Sequence, residues 1–139
     1  MAAPIRPRHD TSDLPLSFAQ QNLWLIQQLN PDATAAFNMP AGLRLRGVLN
    51  ADALRGALDR IVERHESLRA RFVSIDGQAW QIIDPPRPLA LETLDLSAPG
   101  TVDWQSLCVE EASQPFDLTS QWPIRARLPR AKSAATPGP

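Results

Sequence analysis

Cysteine is nearly absent from this chain: Cys108 stands alone among 139 residues. One thiol closes no internal disulfide and builds no cysteine-based metal cluster, so Cys108 is read as a small buried hydrophobe. Histidine is almost as scarce, with only His9 and His65, far apart, and no metal-ligand spacing exists. Long apolar runs are missing as well. Nothing approaches the roughly 20 residues that span a bilayer, and the opening residues, which include Arg6 and Arg8, lack the apolar stretch of a secretory signal. No glycine-rich phosphate loop occurs, and no internal repeat. Charge of one sign is not in excess either. The formal net charge is −1, which gives no field to draw nucleic acid or an anionic membrane. These absences leave a soluble cytoplasmic protein as the expectation, with neither nucleic acid nor membrane as partner.

What is present looks globular. A hydrophobic share of 43% with 21% charged residues suits one packed domain. Residues 1–13 read as a flexible leader in which Pro4 and Pro7 oppose regular structure. A first helix is expected from Ser17, because Ser17-Phe18-Ala19-Gln20 has the form of a capping box. Phe18, Leu25, Ile26 and Leu29 share one stripe of that helix, Asn22 interrupts it, and Pro31 ends the run. Residues 37–49 read as a strand, with Leu43, Leu45 and Gly47 on one face and Arg44 and Arg46 on the other. Asn50 caps a second helix whose apolar side is Leu54, Leu58, Ile61 and Val62, and His65 falls back onto that side. Asp76-Gly77 between residues 69–75 and 78–83 predicts a tight hairpin. Pro85, Pro86 and Pro88 form a stiff connector to a strand over 89–96. A third helix over about 102–113 would bury Trp104, Leu107, Cys108 and Ala112. Ile124, Ala126 and Leu128 alternate with Arg125 and Arg127 as a last short strand, and residues 129–139 read as a disordered tail. The fold class is α/β of the α+β two-layer kind, with helices packed on a mixed sheet.

Two segments carry a family resemblance. Ser17, Ala19, Gln20, Leu23 and Trp24 fall where the first signature of non-ribosomal peptide synthetase condensation domains has Ser-x-Ala-Gln-x-Arg-Leu-Trp. Arg64, His65, Glu66, Leu68, Arg69 and Phe72 match the second, Arg-His-Glu-x-Leu-Arg-Thr-x-Phe. Pro115-Phe116-Asp117-Leu118, followed by residues 123–128, is similar to the region that precedes the family's active-site loop. The departures are Asn22 for the usual arginine and Ala70 for the usual threonine. Residues 14–128 thus resemble the N-terminal part of a condensation domain, which implies a partial chloramphenicol-acetyltransferase-like subdomain.

The resemblance also implies chemistry. Condensation domains join two acyl groups held on peptidyl or acyl carrier proteins, with phosphopantetheine on those partners and no cofactor of their own. The family's catalytic signature, His-His-x-x-x-Asp-Gly, and its second subdomain do not occur in this sequence. The expectation is a truncated domain, inactive alone, whose signature residues are structural or channel-lining. Two alternatives stand beside it: a non-catalytic module docking a carrier protein or another synthetase module, or one half of a split condensation enzyme. His65 is read as a structural histidine rather than a base, Ser17 as a cap rather than a nucleophile, and the Glu66–Arg69 pair as structural. Trp24, Trp80, Trp104 and Trp122 read as core or rim residues, and the Arg44/Arg46 and Arg125/Arg127 faces as solvated.

Overall fold

A computed structural model of the chain describes residues 14–96 and 103–130. The leader, Val102, from which the sequence predicts the third helix, and the tail beyond Arg130 lie outside those residues. The secondary structure runs β1 (Leu14–Pro15), α1 (Phe18–Leu29), a 3₁₀ helix (Pro31–Phe37), α2 (Ala51–Arg64), a second 3₁₀ helix (Glu66–Arg69), β2 (Ala70–Ile75), β3 (Gln78–Ile83), β4 (Leu91–Asp95), α3 (Trp104–Ser113) and β5 (Ala126–Arg130). The molecule mixes helix and sheet, but its strands fall into two sheets rather than one. β1, β3 and β2, in that order, form an antiparallel sheet, and β4 pairs with β5 in parallel. A parallel pair needs a crossover, and α3 lies in the connection between the two strands.

The hairpin follows from Asp76-Gly77. Both residues take positive φ, 51° and 78°, the primed turn that matches the twist of the flanking strands. The turn sets the register, pairing Ala70 with Ile83 and Ile75 with Gln78. Helix α1 starts as its capping box predicts: the Gln20 N–H donates to Ser17 Oγ at 3.3 Å and the Ser17 N–H to Gln20 Oε1 at 2.8 Å.

The expectations for α1, residues 37–49, His65 and the end of the last strand fail, each for a physical reason. The α1 stripe of Phe18, Leu25 and Leu29 is exposed, at 80%, 51% and 77%. The helix instead turns Leu23 and Trp24 inward and buries Gln27, so Asn22 sits on an open face rather than in the core. Residues 38–50 form no strand, since no strand among the described residues pairs with them. His65 does not return to the apolar face of α2: the helix ends at Arg64, and His65 is its exposed C-cap, where φ −109° and ψ 98° rotate the chain away. Finally, β5 includes Pro129 and Arg130, which the pattern assigns to the tail, and it pairs along its length with β4. Proline is tolerated there because, among the described residues, β5 pairs on one side only.

Two small clusters make the interior. Leu16, Phe72 and Leu118 form one, with Leu23, Trp24, Ala79 and Phe116 against it. Val62, Leu89 and Trp122 form the other, with Leu58, Leu68, Ile124 and Ala126. Helix α3 buries Leu107 and half-buries Cys108 and Ala112, but Trp104 stays 40% exposed. Among the described residues no helix is long and apolar enough to cross a membrane.

Candidate functional site

The three sequence signatures meet in space. Leu16, just before the first, Phe72 from the second and Leu118 from the third form one buried cluster, with Leu23 and Trp24 of the first packed against it. A backbone bond fixes the meeting, because the Phe72 N–H donates to the Leu118 carbonyl at 2.8 Å. Around it, glutamines of α1 reach both partners. Gln20 Nε2 donates to Gln81 Oε1 on β3 at 2.7 Å, and Gln27 Nε2 to Asp117 Oδ1 at 3.0 Å. Ala19, one signature position, lies on the exposed side of the helix.

Within the second signature, Arg69 is the buried charged residue at 7% exposure. A buried guanidinium must spend its donors, and this one caps α2. Its Nε donates to the Val62 carbonyl at 3.0 Å and a terminal nitrogen to Glu63 at 3.3 Å. These are two of the last carbonyls of α2, which have no intrahelical partner. The other terminal nitrogen donates to the Asp84 carbonyl, tying the helix end to the chain just past β3. Leu68 packs in the second cluster. Arg64, His65 and Glu66 are exposed, and the His65 imidazole makes no hydrogen bond among the described residues.

Beside Arg69 lies a network that the sequence did not announce. Arg71 and Asp84 form a two-pronged ion pair with both N–O distances 2.7 Å, and Trp122 Nε1 donates to Asp84 Oδ2 at 2.8 Å. Arg71 also donates to the Thr119 carbonyl at 2.9 Å. The Arg71 hydrogen bond, followed by that of Trp122, holds the Asp84 carboxyl below the usual carboxylate range against the opposing effect of burial, and the same pair raises Arg71. The Arg87 guanidinium stands 4.5 Å from the Trp122 ring centroid. A signal for the pair did exist: the hairpin register sets Arg71 opposite Ile82, and Asp84 is the next residue on that face, within diagonal reach.

Asp117 organises the third signature. Its carboxylate accepts from Ser120 Oγ and Thr119 Oγ1, both at 2.6 Å, and from the Thr119 N–H at 3.0 Å. Those hydroxyl bonds lower its pKa, Ser120 contributing most. The basic face read as solvated at Arg125 and Arg127 is instead tied down. Arg125 pairs with Glu111 at 2.7 Å, donates to the carbonyls of Gln114 and Pro115, and lies 3.9 Å from the Phe116 ring centroid. Arg127 faces Glu92, Glu110 and Glu111.

The condensation domain family model matches residues 10–136. The chain belongs to the condensation domain family. It is 43% identical over 135 residues to a linear gramicidin synthase of Brevibacillus parabrevis, covering 92% of this chain and 3% of that protein. It is 39% identical over 127 residues to cyclosporin synthetase simA of Tolypocladium inflatum, covering 91% and 1%. Among solved structures, the starter condensation domain of rhizomide synthetase RzmA matches with a TM-score of 0.69 at 30% identity, over 81% of this chain and 28% of that one. The X-domain from teicoplanin biosynthesis matches at 0.67 and 29% identity, over 93% and 26%. The fold is therefore part of a chloramphenicol-acetyltransferase-like subdomain. The chain spans a few hundredths of these synthetases and just over a quarter of the solved domains.

Two open grooves lie among the described residues. The larger groove, about 410 Å³, is open and bounded by Gln27, Pro31, Phe116 and Asp117 among others. A second, of about 240 Å³, lies at the hairpin tip beside Trp80. His65 lines neither, Ser17 Oγ is engaged as a cap, and no cluster of three or more metal-ligating side chains occurs among the described residues.

Proposed function

We propose that this chain is the first part of a condensation domain of a non-ribosomal peptide synthetase, and that the 139 residues are not catalytic by themselves. One observation carries the reading: the chain superposes on a solved starter condensation domain while spanning 28% of it. Its two histidines are not adjacent, so the paired-histidine signature of the resembled family does not occur in this sequence.

Amide-bond formation sets three requirements. Two tethered acyl groups must be brought together, the proton of the attacking amine must be taken up, and the tetrahedral oxyanion must be stabilised until the thiolate leaves. In the resembled family these are met between two subdomains. Here the signature residues serve another end. Ser17 and Gln20 start a helix, Arg69 finishes one, and Phe72 and Leu118 close the core between them. That division of labour supports a scaffold whose reactive residues are contributed by the rest of the domain. The partners would be peptidyl or acyl carrier proteins and neighbouring synthetase modules in the cytoplasm, with phosphopantetheine on the carriers.

The test is direct. The chain, mixed with donor- and acceptor-loaded carrier proteins and followed by mass spectrometry, should give no dipeptidyl thioester above the carrier-only background. Product that depends on the chain would overturn the reading.

A further inference from the structure

Gln27 is the buried residue of α1, at 7% exposure, and only half of its amide is spent. Its Nε2 donates to Asp117 Oδ1 at 3.0 Å. Its Oε1 is buried and has no hydrogen-bond partner among the described residues. A buried acceptor without a donor is destabilising, and native folds seldom keep one without a use. Gln27 also lines the groove of about 410 Å³, together with Pro31, Pro115, Phe116 and Asp117.

Asp117 brings a second acceptor and a charge to the same groove. Its Oδ1 is filled, taking Gln27 Nε2, the Thr119 N–H and Thr119 Oγ1, whereas Oδ2 accepts only from Ser120 Oγ. All of these donors are neutral. Among the described residues no cation forms an ion pair with Asp117, although its carboxylate is exposed. Arg125, over the Phe116 ring, is already paired with Glu111. The site therefore offers two open acceptors, one unmatched negative charge and walls of proline and phenylalanine. That combination calls for a positive head with N–H donors on an apolar stem. A planar guanidinium prefers two parallel oxygens of one carboxylate, and here Oδ1 is full. An ammonium carries three donors on one nitrogen and can serve oxygens of two different residues.

We propose that the groove between α1 and residues 115–121 binds a small primary amine in its ammonium form. Its N–H groups meet Gln27 Oε1 and Asp117 Oδ2, and its carbon stem lies against Phe116 and Pro31. The site goes beyond the condensation-domain reading and does not rest on it.

The probe is n-butylammonium chloride, titrated at constant ionic strength into the isotope-labelled full chain and followed by nuclear magnetic resonance. The Gln27 side-chain amide and the Thr119 backbone N–H should shift together along one saturating curve. Butyltrimethylammonium keeps the charge and stem but has no donor, and n-butanol has no charge. Each should bind at least about tenfold more weakly, the factor for one charge-assisted hydrogen bond. Gln27→Met, close in shape but without the acceptor, should weaken n-butylammonium by about the same factor. Gln27→Glu, which keeps an acceptor and adds a charge, should tighten it. Equal binding of butyltrimethylammonium overturns the proposal, because the groove is then only an apolar slot beside a charge. A titration without saturation overturns it as well, as does unchanged binding in Gln27→Met, since water alone then meets the orphaned oxygen. Should Gln27→Met fail to fold, Gln27→Glu decides, and binding weaker than in the parent chain sinks the site. No condensation assay enters, so loss of the site leaves the family reading where it stands.

Discussion

Arg69 and His65 stand four positions apart in one signature and do opposite things. Arg69 is buried and satisfies carbonyls at 62, 63 and 84, while His65 stands in solvent. Arg69→Met should therefore cost about 3 kcal/mol, on the scale of lost charged hydrogen bonds. His65→Ala should stay within about 0.5 kcal/mol, as exposed substitutions do. Urea unfolding of the two variants checks the contrast. From sequence alone the helical wheel puts His65 inside, because it carries the period of α2 one residue too far. What Arg69 caps is illegible, since a helix-end carbonyl has no sequence signature. Asp84 adds a pH dependence. Its pKa in the fold lies below the unfolded value, so in the interval between them the unfolded chain binds more protons. The stabilisation is complete above the unfolded value, near pH 4, and is lost as pH falls through the folded one. Asp84→Asn should cost about 2 kcal/mol at neutral pH and flatten the decline in urea midpoint between about pH 5 and pH 2. An acid limb as steep as that of the parent chain would contradict this.

Among the elements, those that announce themselves locally are the legible ones. A capping box and an Asp-Gly turn each state their geometry in two to four residues, and both occur as read. Ser17→Ala should cost about 1 kcal/mol in thermal or denaturant unfolding, the usual value of an N-cap; no change would mean that the hydrogen bond from the Gln20 N–H to Ser17 Oγ carries no stability. Elements that depend on a distant neighbour are not legible. Helix α1 has two apolar stripes, Phe18-Leu25-Leu29 and Leu23-Trp24, and periodicity cannot say which side meets the core. Gln27 decides it, through a bond to Asp117 across 90 positions of sequence. The β4–β5 pairing is likewise remote, so its five-residue register could not be read from alternation in Ile124, Ala126 and Leu128.

At the scale of the molecule, the balance of apolar surface is unusual. Ten hydrophobic residues are buried and thirteen large ones are exposed among those described. Burial is the main force that holds a fold together, and contiguous apolar exposure marks an interface. The chain alone should bind a hydrophobic dye and melt over a broad range, with hydrogen exchange slowest in the β2–β3 hairpin. A sharp, dye-free transition would show that the two clusters suffice. The open stretch between Asn38 and Asn50 also makes the chain a two-piece object in the eyes of a protease. Arg44 and Arg46 sit exposed outside any helix or strand, where nicking concentrates, whereas Arg55 and Arg60 are in α2 and Arg69 is buried. An arginine-directed protease should nick there first. Leu16, Leu23 and Trp24 would then lie on one fragment and Phe72 and Leu118 on the other, so the nicked protein should run as two bands under denaturing conditions yet travel as one particle in native gel filtration.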